Sequence, residues 1–366
     1  MKPALIIDLK KLKENVEVEV ELLKKEGVEV MGVNKVFDGC IQSAKALLDG
    51  GIKVIAESRL YNLKNIKNEL GCITCLLRSP LLSEIDETVR YADISLNSEL
   101  KILKELNAAA LKQNKIHQVL LMIDMGDLRE GIWFEKEDEI KKAMMYIKKA
   151  SNLELFGLGT NYNCYGTVLP SVKNSKDFIK LAEKMSKIVD IKIPRLSAGN
   201  CTSYHLIDKA LWDKKLNHLR IGGLHQFGIE YVDMKYVNNF HHSSKDVNRA
   251  CSPLYVLRAE IIEINTKPTV PVGELGVDAF LKVKHFEDRG IKRRALLAFG
   301  RQDIPSENIT PVDDNYVILG QTSDHTILEI PDNSLLKLGD FVYFELDYTA
   351  LLMACQTKGI DKIFLY

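Results

Sequence analysis

Neither sign of charge dominates this 366-residue chain: 50 Lys and Arg balance 50 Asp and Glu, for a formal net charge of zero. Without a basic field there is no basis for nucleic-acid or anionic-membrane binding, and a small molecule is the expected partner. Long hydrophobic runs are missing too. The N-terminus, MKPALIIDLKKLKENV, holds only Ala4-Leu5-Ile6-Ile7 before charges resume. A signal peptide or membrane anchor is therefore not expected there, and a cytoplasmic protein is.

Cysteine is sparse. The seven are an odd number spread from Cys40 to Cys355, which in a reducing cytosol implies no disulfide framework. Cys72 and Cys75 form a C-x-x-C, but in the apolar run Cys72-Ile73-Thr74-Cys75-Leu76-Leu77 a strand puts them on opposite faces. With no second Cys or His pair at zinc spacing, buried thiols and no metal are expected. Repeats and low-complexity tracts are absent. The remainder, 46% hydrophobic and 27% charged, is globular and excludes disorder.

Short apolar segments alternate with charged helical ones, the pattern of strand–helix units building a parallel sheet. Strands are predicted at 28–36, 52–56, 72–77, 92–96, 118–124, 153–159, 193–197 and 218–222. Apolar residues recurring at three and four predict helices at 41–48, 60–69, 98–112, 137–149, 176–189 and 204–212. Eight such units over about 230 residues match a closed barrel, typically about 250. A doubly wound open sheet is disfavoured, because no G-x-G-x-x-G follows an early strand. After Glu230 a polar stretch gives way to alternating runs at 254–264, 316–319, 326–330 and 341–346. The expected fold is α/β: a (β/α)8 TIM-like barrel over residues 1–235, then a mostly β C-terminal domain over 247–366.

Catalytic groups of such a barrel sit at the C-terminal ends of its strands, and those tails are polar here. Lys35 stands near the end of the first strand, and a lysine at an apolar strand's mouth is expected to be desolvated, favouring the neutral amine that forms a Schiff base. A loop lysine facing solvent is the alternative. Strands seven and eight end in Ser197-Ala198-Gly199-Asn200-Cys201-Thr202 and Arg220-Ile221-Gly222-Gly223. Gly-rich turns with hydroxyls ahead of helices offer N–H groups to a phosphate, commonly at these two positions. A lysine for an aldehyde plus a phosphate cradle suggests pyridoxal 5'-phosphate.

With these residues the chain resembles the fold-type III pyridoxal-phosphate enzymes, in particular the alanine racemase superfamily and its ornithine racemase branch. The resemblance spans essentially the whole chain. It implies that Lys35, in Val33-Asn34-Lys35-Val36-Phe37-Asp38-Gly39, carries the cofactor. Asp124-Met125-Gly126-Asp127-Leu128-Arg129 is similar to the family's D-T-G-M-x-R, so Arg129 is implied to contact the phenolic oxygen and the substrate carboxylate. Ser197-Ala198-Gly199-Asn200-Cys201-Thr202 is similar to the S-x-G-N-[ST] phosphate motif, which implies phosphate contacts from Ser197, Asn200 and Thr202. Arg220, Gly222 and Gly223 match R-x-G, with the arginine implied to face the pyridine nitrogen and the following amides to hold phosphate. Thr160-Asn161 stands where a Thr-His pair flanks the ring, and Tyr348 resembles a tyrosine that reaches the phosphate. An arginine cannot pass its proton to the ring nitrogen, which keeps the pyridine neutral and suits proton return.

Departures from the pattern are informative. The alanine racemase G-Y-x-D-G segment, whose tyrosine is the second base, corresponds to Pro271-Val272-Gly273-Glu274-Leu275-Gly276-Val277-Asp278-Ala279-Phe280, which has no tyrosine. That run, with Asp288-Arg289-Gly290, Gly300-Arg301-Gln302-Asp303 and Ser323-Asp324-His325, resembles the ornithine racemase branch. A racemase needs an acid/base on each face of the substrate, so Glu274 is the expected second base and Asp278 its alternate. Ser323 and Asp324 are candidates for holding a side-chain ammonium. His225 is expected to pack or support, with nothing nearby to orient it, and His241-His242 to be solvated.

The expected activity is a pyridoxal-phosphate amino-acid racemase for ornithine, with lysine or alanine behind it. A basic amino-acid decarboxylase of the same fold type and a non-catalytic cofactor carrier are the further alternatives. The resemblance also implies a homodimer with shared active sites.

Overall fold

The computed structural model describes residues 2–242 and 253–366 and divides into two units, Lys10–His241 and Met1–Leu9 with His242–Tyr366. The expected start of the second domain at residue 247 lies outside the described residues.

The first unit is the barrel. Eight parallel strands, β2 (Glu29–Val33), β3 (Val54–Glu57), β4 (Ile73–Leu76), β5 (Ile94–Asn97), β6 (His117–Asp124), β8 (Leu153–Thr160), β9 (Leu196–Ala198) and β10 (His218–Ile221), form a ring. The β5–β6 and β10–β2 pairings close it. Period-two alternation sets the two faces. In β6, Leu120 and Met122 join Met31, Ala56, Cys75, Ile94, Leu96 and Phe156 in the interior. Val119, Leu121 and Ile123 turn outward onto the helices.

Those helices are α1 (Leu9–Lys25), α2 (Ile41–Asp49), α3 (Leu60–Leu70), α4 (Ile85–Tyr91), α5 (Leu100–Lys112), α6 (Glu137–Lys149), α7 (Val172–Val189), α8 (Tyr204–Asp208) and α9 (Gly223–Phe227). α7 begins four residues before its periodic run because Ser171 and Asn174 form a capping box. β7 (Ile132–Trp133) doubles back beside the end of β6, and β11 (Ile229–Glu230) pairs with β12 (Lys235–Tyr236). Cys75 lies in the interior with its thiol pushed up to about 12 by burial, whereas Cys72 precedes β4 and is only half-buried.

The second unit holds an antiparallel sheet of β13 (Tyr255–Pro268), β14 (Ile291–Leu297), β15 (Ile309–Pro311), β16 (Val317–Gln321), β17 (Thr326–Glu329) and β18 (Phe341–Leu346), ordered 15-18-13-14-17-16. α10 (Tyr348–Gln356) and β19 (Asp361–Leu365) follow. The N-terminal strand β1 (Ala4–Asp8) also belongs here, antiparallel to β13 and parallel to β19. The sequence reading placed residues 1–9 in the barrel; the apolar run Ala4–Ile7 is instead buried by pairing with β strands far along the chain.

Candidate active site

All the polar tails follow parallel strands at their C-terminal ends, so the barrel presents them at one mouth. β2 stops at Val33. The Asn34 N–H still donates to Ala56 O at 2.9 Å, after which Lys35–Phe37 forms a single 3-10 turn. Asn34 anchors the turn from beneath, its Nδ2 donating to Cys40 O at 3.3 Å and its Oδ1 accepting from the Ser43 hydroxyl at 2.8 Å. Lys35 itself is exposed, and among the described residues its amine has no hydrogen-bond or ion-pair partner. The expected desolvation is thus corrected: the strand stops at Val33, three residues short of the expected end at 36, and the lysine stands on a turn.

Arg220, near the end of β10, is 4% exposed and gathers three neighbours. Nη2 donates to Thr160 O at 2.8 Å and Asn161 Oδ1 at 2.7 Å, and Nη1 donates to Ser197 Oγ. Every acceptor is neutral. Burial pulls the guanidinium down to about 10, which leaves it protonated at neutral pH. Ser197 Oγ also meets His218 Nδ1 at 2.8 Å. Burial first, then the charges of Arg220 and Arg195, hold His218 well below the usual histidine range, so the ring is neutral.

Asn161 continues the chain outward, its Nδ2 donating to Glu130 Oε1 at 2.9 Å. Arg129 Nη2 donates to the same oxygen at 2.6 Å, and its Nε pairs with Oε2. Arg129, Asn161, Ser197 and Arg220 are therefore brought together, with Glu130, which sequence reasoning missed, joining Arg129 to Asn161. Its only signal was adjacency to Arg129.

The loops are tied to one another. Asp124 Oδ1 accepts the N–H groups of Gly126 (2.9 Å) and Leu128 (3.2 Å), and Asp127 accepts those of Cys164 (3.2 Å) and Tyr165 (3.1 Å) from the loop after β8. Asn200 Nδ2 donates to Tyr162 O while its Oδ1 caps the Thr202 N–H, both at 2.9 Å. Thr202 Oγ1 accepts from Asn163 at 3.4 Å. Gly222 caps α9 and Gly223 opens it, where a Cβ would stand 2.5 Å from the Tyr231 hydroxyl oxygen. Thr160 Oγ1 is buried with no hydrogen-bond partner among the described residues.

Two histidine expectations change. His225 is fully buried and does have an orienting group, with Nδ1 at 3.1 Å from both oxygens of the equally buried Glu19 on α1. His242 is buried rather than solvated, and half-exposed His241 meets Glu14 at 2.7 Å.

The remaining expected residues belong to the second unit. Glu274 is exposed. The Asp278 carboxylate accepts the N–H groups of Phe280 (2.8 Å) and Lys282 (3.0 Å) and lies 3.5 Å from Lys284 Nζ, which is the role of a turn acid; the Lys282 amide leads in holding it below the usual range. Asp324 Oδ1 accepts from the Thr322 and Ser323 hydroxyls, at 2.9 and 3.1 Å. Tyr348 opens α10, half-exposed, behind the capping Asp347.

Residues 7–227 match the family model described as alanine racemase, N-terminal domain. Over 363 residues the chain is 38% identical to the ornithine racemase of Acetoanaerobium sticklandii, covering 99% of both chains. It is 32% identical to the lysine racemase of Thermotoga maritima, covering 99% of this chain and 98% of the other. Among solved structures, the alanine racemase of Streptomyces coelicolor A3(2) shares the fold with a TM-score of 0.76 at 14% identity, over 100% of this chain and 98% of its own. A chain that matches this model across its barrel, and two curated racemases from end to end, belongs to the alanine racemase family.

Proposed function

We propose that this protein is a pyridoxal 5'-phosphate-dependent racemase that interconverts L- and D-ornithine. The observation that carries the reading is Arg220: a guanidinium buried at the barrel mouth among neutral acceptors, beside the unpartnered Thr160 hydroxyl. A buried cation without an anion in contact is costly in a core built for stability alone. The residues fit pyridoxal phosphate. Lys35 offers a primary amine that no other side chain engages among the described residues. The first turn of α9 offers amides for a phosphate at a place where no Cβ fits.

When bound, the cofactor supplies an electron sink that acidifies the substrate Cα–H. Arg220 would face the ring nitrogen of the bound cofactor and leave it unprotonated, because a guanidinium does not act as an acid near neutral pH. Lys35 takes or returns the Cα proton on one face, and Arg129, held by Glu130, orients the substrate carboxylate. On the other face Glu274 is the proposed base. Asp278 is the weaker candidate, since its oxygens already serve its own turn. Ser323 and Asp324 are proposed to hold the side-chain ammonium, with Tyr348 on the phosphate.

A homodimer completes the reading. The stretch bearing Glu274 displays Val272 at 95% and Leu281 at 83% exposure, apolar area that a second copy would cover. A cytoplasmic location accords with the six cysteines that are free among the described residues. Lysine is the second substrate reading, favoured by the likeness to a lysine racemase over the whole chain.

The test is loss of optical activity, with deuterium uptake at Cα, for the protein loaded with pyridoxal phosphate and given L-ornithine, L-lysine, L-arginine, L-alanine and L-serine. Racemisation of ornithine well ahead of the others is expected. No exchange with any of them sinks the proposal and returns the decarboxylase and carrier readings.

A further inference from the structure

Glu57 ends β3 as a fully buried acid that the proposed reaction does not use. The strand before it supplies Ile55 and Ala56 to apolar packing, and nothing in barrel construction asks for a carboxylate there. Its oxygens are nevertheless occupied. Oε1 accepts the Gly39 N–H at 3.2 Å and Oε2 the Ser58 N–H at 2.9 Å. No Lys, Arg or His among the described residues pairs with it, and burial pushes the carboxyl up to about 7 against the pull of these amides. A group so costly to bury is held for what its acceptors do.

What they hold is the end of the turn that starts at Lys35. Asp38 sits in the left-handed region (φ 49°), and so does Gly39 (φ 72°). Asp38 Oδ1 accepts from Asn62 Nδ2 at 3.1 Å and from the Tyr61 hydroxyl at 3.3 Å, both in the first turn of α3. A Cβ on Gly39 would stand 2.5 Å from Asn62 Cγ. The turn is thus gripped at Asn34 before the lysine and at Asp38 and Gly39 after it, and the last of these grips is a carboxylate.

We propose that Glu57 is the positioning residue for Lys35: by fixing the Gly39 amide it sets the backbone from which the Lys35 amine is presented. The inference rests on the reading of Lys35 as the cofactor-bearing lysine. During loading, the Lys35 nitrogen forms a double bond to the aldehyde carbon, and the aldehyde oxygen leaves as water with the two amine protons. Orientation of the amine governs that step, whereas the phosphate cradle at β9 and β10 does not depend on it.

The experiment compares full-length wild type with Glu57→Gln and Glu57→Ala, offered pyridoxal phosphate or pyridoxamine phosphate. The second compound has the same ring and phosphate but no aldehyde, so it reads the cradle without Lys35. In Glu57→Gln, pyridoxamine phosphate affinity should stay at the wild-type value. Capture of pyridoxal phosphate, followed by absorbance and fixed by borohydride on the Lys35 peptide, should slow by about 10- to 100-fold, the cost of misplacing a reacting group by an ångström. Glu57→Ala should be slower still, because glutamine keeps one oxygen for Gly39. Wild-type capture rates in both variants overturn the inference, as does an equal loss for both compounds, which marks a merely structural acid. Should Glu57→Ala fail to fold, the Glu57→Gln comparison decides alone. Wild type that takes up neither compound overturns the proposed function itself, an outcome distinct from normal loading in every protein.

Discussion

Asn161 holds Arg220 with its carboxamide oxygen, 2.7 Å from Nη2, and gives its own amide hydrogen to Glu130. One neutral side chain therefore joins two guanidinium groups and the carboxylate between them. Asn161→Ala leaves Arg220 and Glu130 each short of a partner, and should cost about 1–3 kcal/mol in urea unfolding, the range for a buried group left unsatisfied. A loss well under that range would show that water replaces the amide.

Arg220 feeds acceptors after β8 and on β9 in a fork that an ammonium cannot copy. Arg220→Lys should reduce kcat for racemisation by about 100-fold, as loss of a preorganised charged donor does. The check is kcat measured beside the melting temperature; a fall in the second alone would place the arginine in the scaffold.

The His117 ring is buried with Nε2 at 2.7 Å from Ser95 Oγ, and burial pulls its pKa from 6.5 down to about 4. The unfolded chain binds this proton near pH 6.5, the folded chain only near 4. Stability present above pH 6.5 is therefore lost as pH falls toward 4, by about 3 kcal/mol at most for this group. Glu57 acts in the opposite sense, since its folded pKa of about 7 exceeds the unfolded 4.5 and its contribution is lost as pH rises. His117→Asn removes only the first slope. The stability advantage of wild type over His117→Asn should shrink between pH 7 and pH 5, and a constant difference would contradict the assignment.

Gly131 has φ 137°, and a Cβ there would stand 2.5 Å from the Asp124 amide nitrogen. Gly131→Ala must push β7 away from β6 and shift the loop that carries Arg129 and Glu130. Scanning calorimetry should show a melting temperature lower by about 4–8 °C, accompanied by a raised KM for the amino acid.

With Glu274 as the proposed second base, Glu274→Gln should leave Cα exchange from one enantiomer while abolishing racemisation. Asp278→Asn should retain both directions, because that carboxylate serves the amides of its own turn. Deuterium exchange run separately from L- and D-ornithine separates the two acids.

The barrel was legible because each strand carries its own apolar run, and those runs alternate locally with helical ones. That Lys35, Arg129, Ser197 and Arg220 stand at the barrel mouth was legible because they follow or close predicted strands, whereas their proposed roles came from the family resemblance. Glu19, Glu57 and Glu130 were not. In a chain with 50 acidic residues a single glutamate has no local signature, and each of these matters through a partner supplied by folding: His225 from α9, Gly39 from the neighbouring βα turn, Asn161 from the end of β8. The desolvation of Lys35 was misjudged for a related reason, since the point where β2 stops is set by its pairing with β3, which composition does not record.

β1 pairs along its whole length with β19, Ala4 against Asp361 through Asp8 against Leu365. On the ribosome β1 must wait about 250 residues for β13 and about 350 for β19, the latter roughly twenty seconds to a minute at ordinary elongation rates. Until β13 emerges its apolar run has neither neighbour, and until β19 emerges one of its edges stays open. The second unit is consequently a clasp fastened in two steps, and a nascent chain stalled before Tyr255 would carry a loose β1 available to chaperones or to another chain.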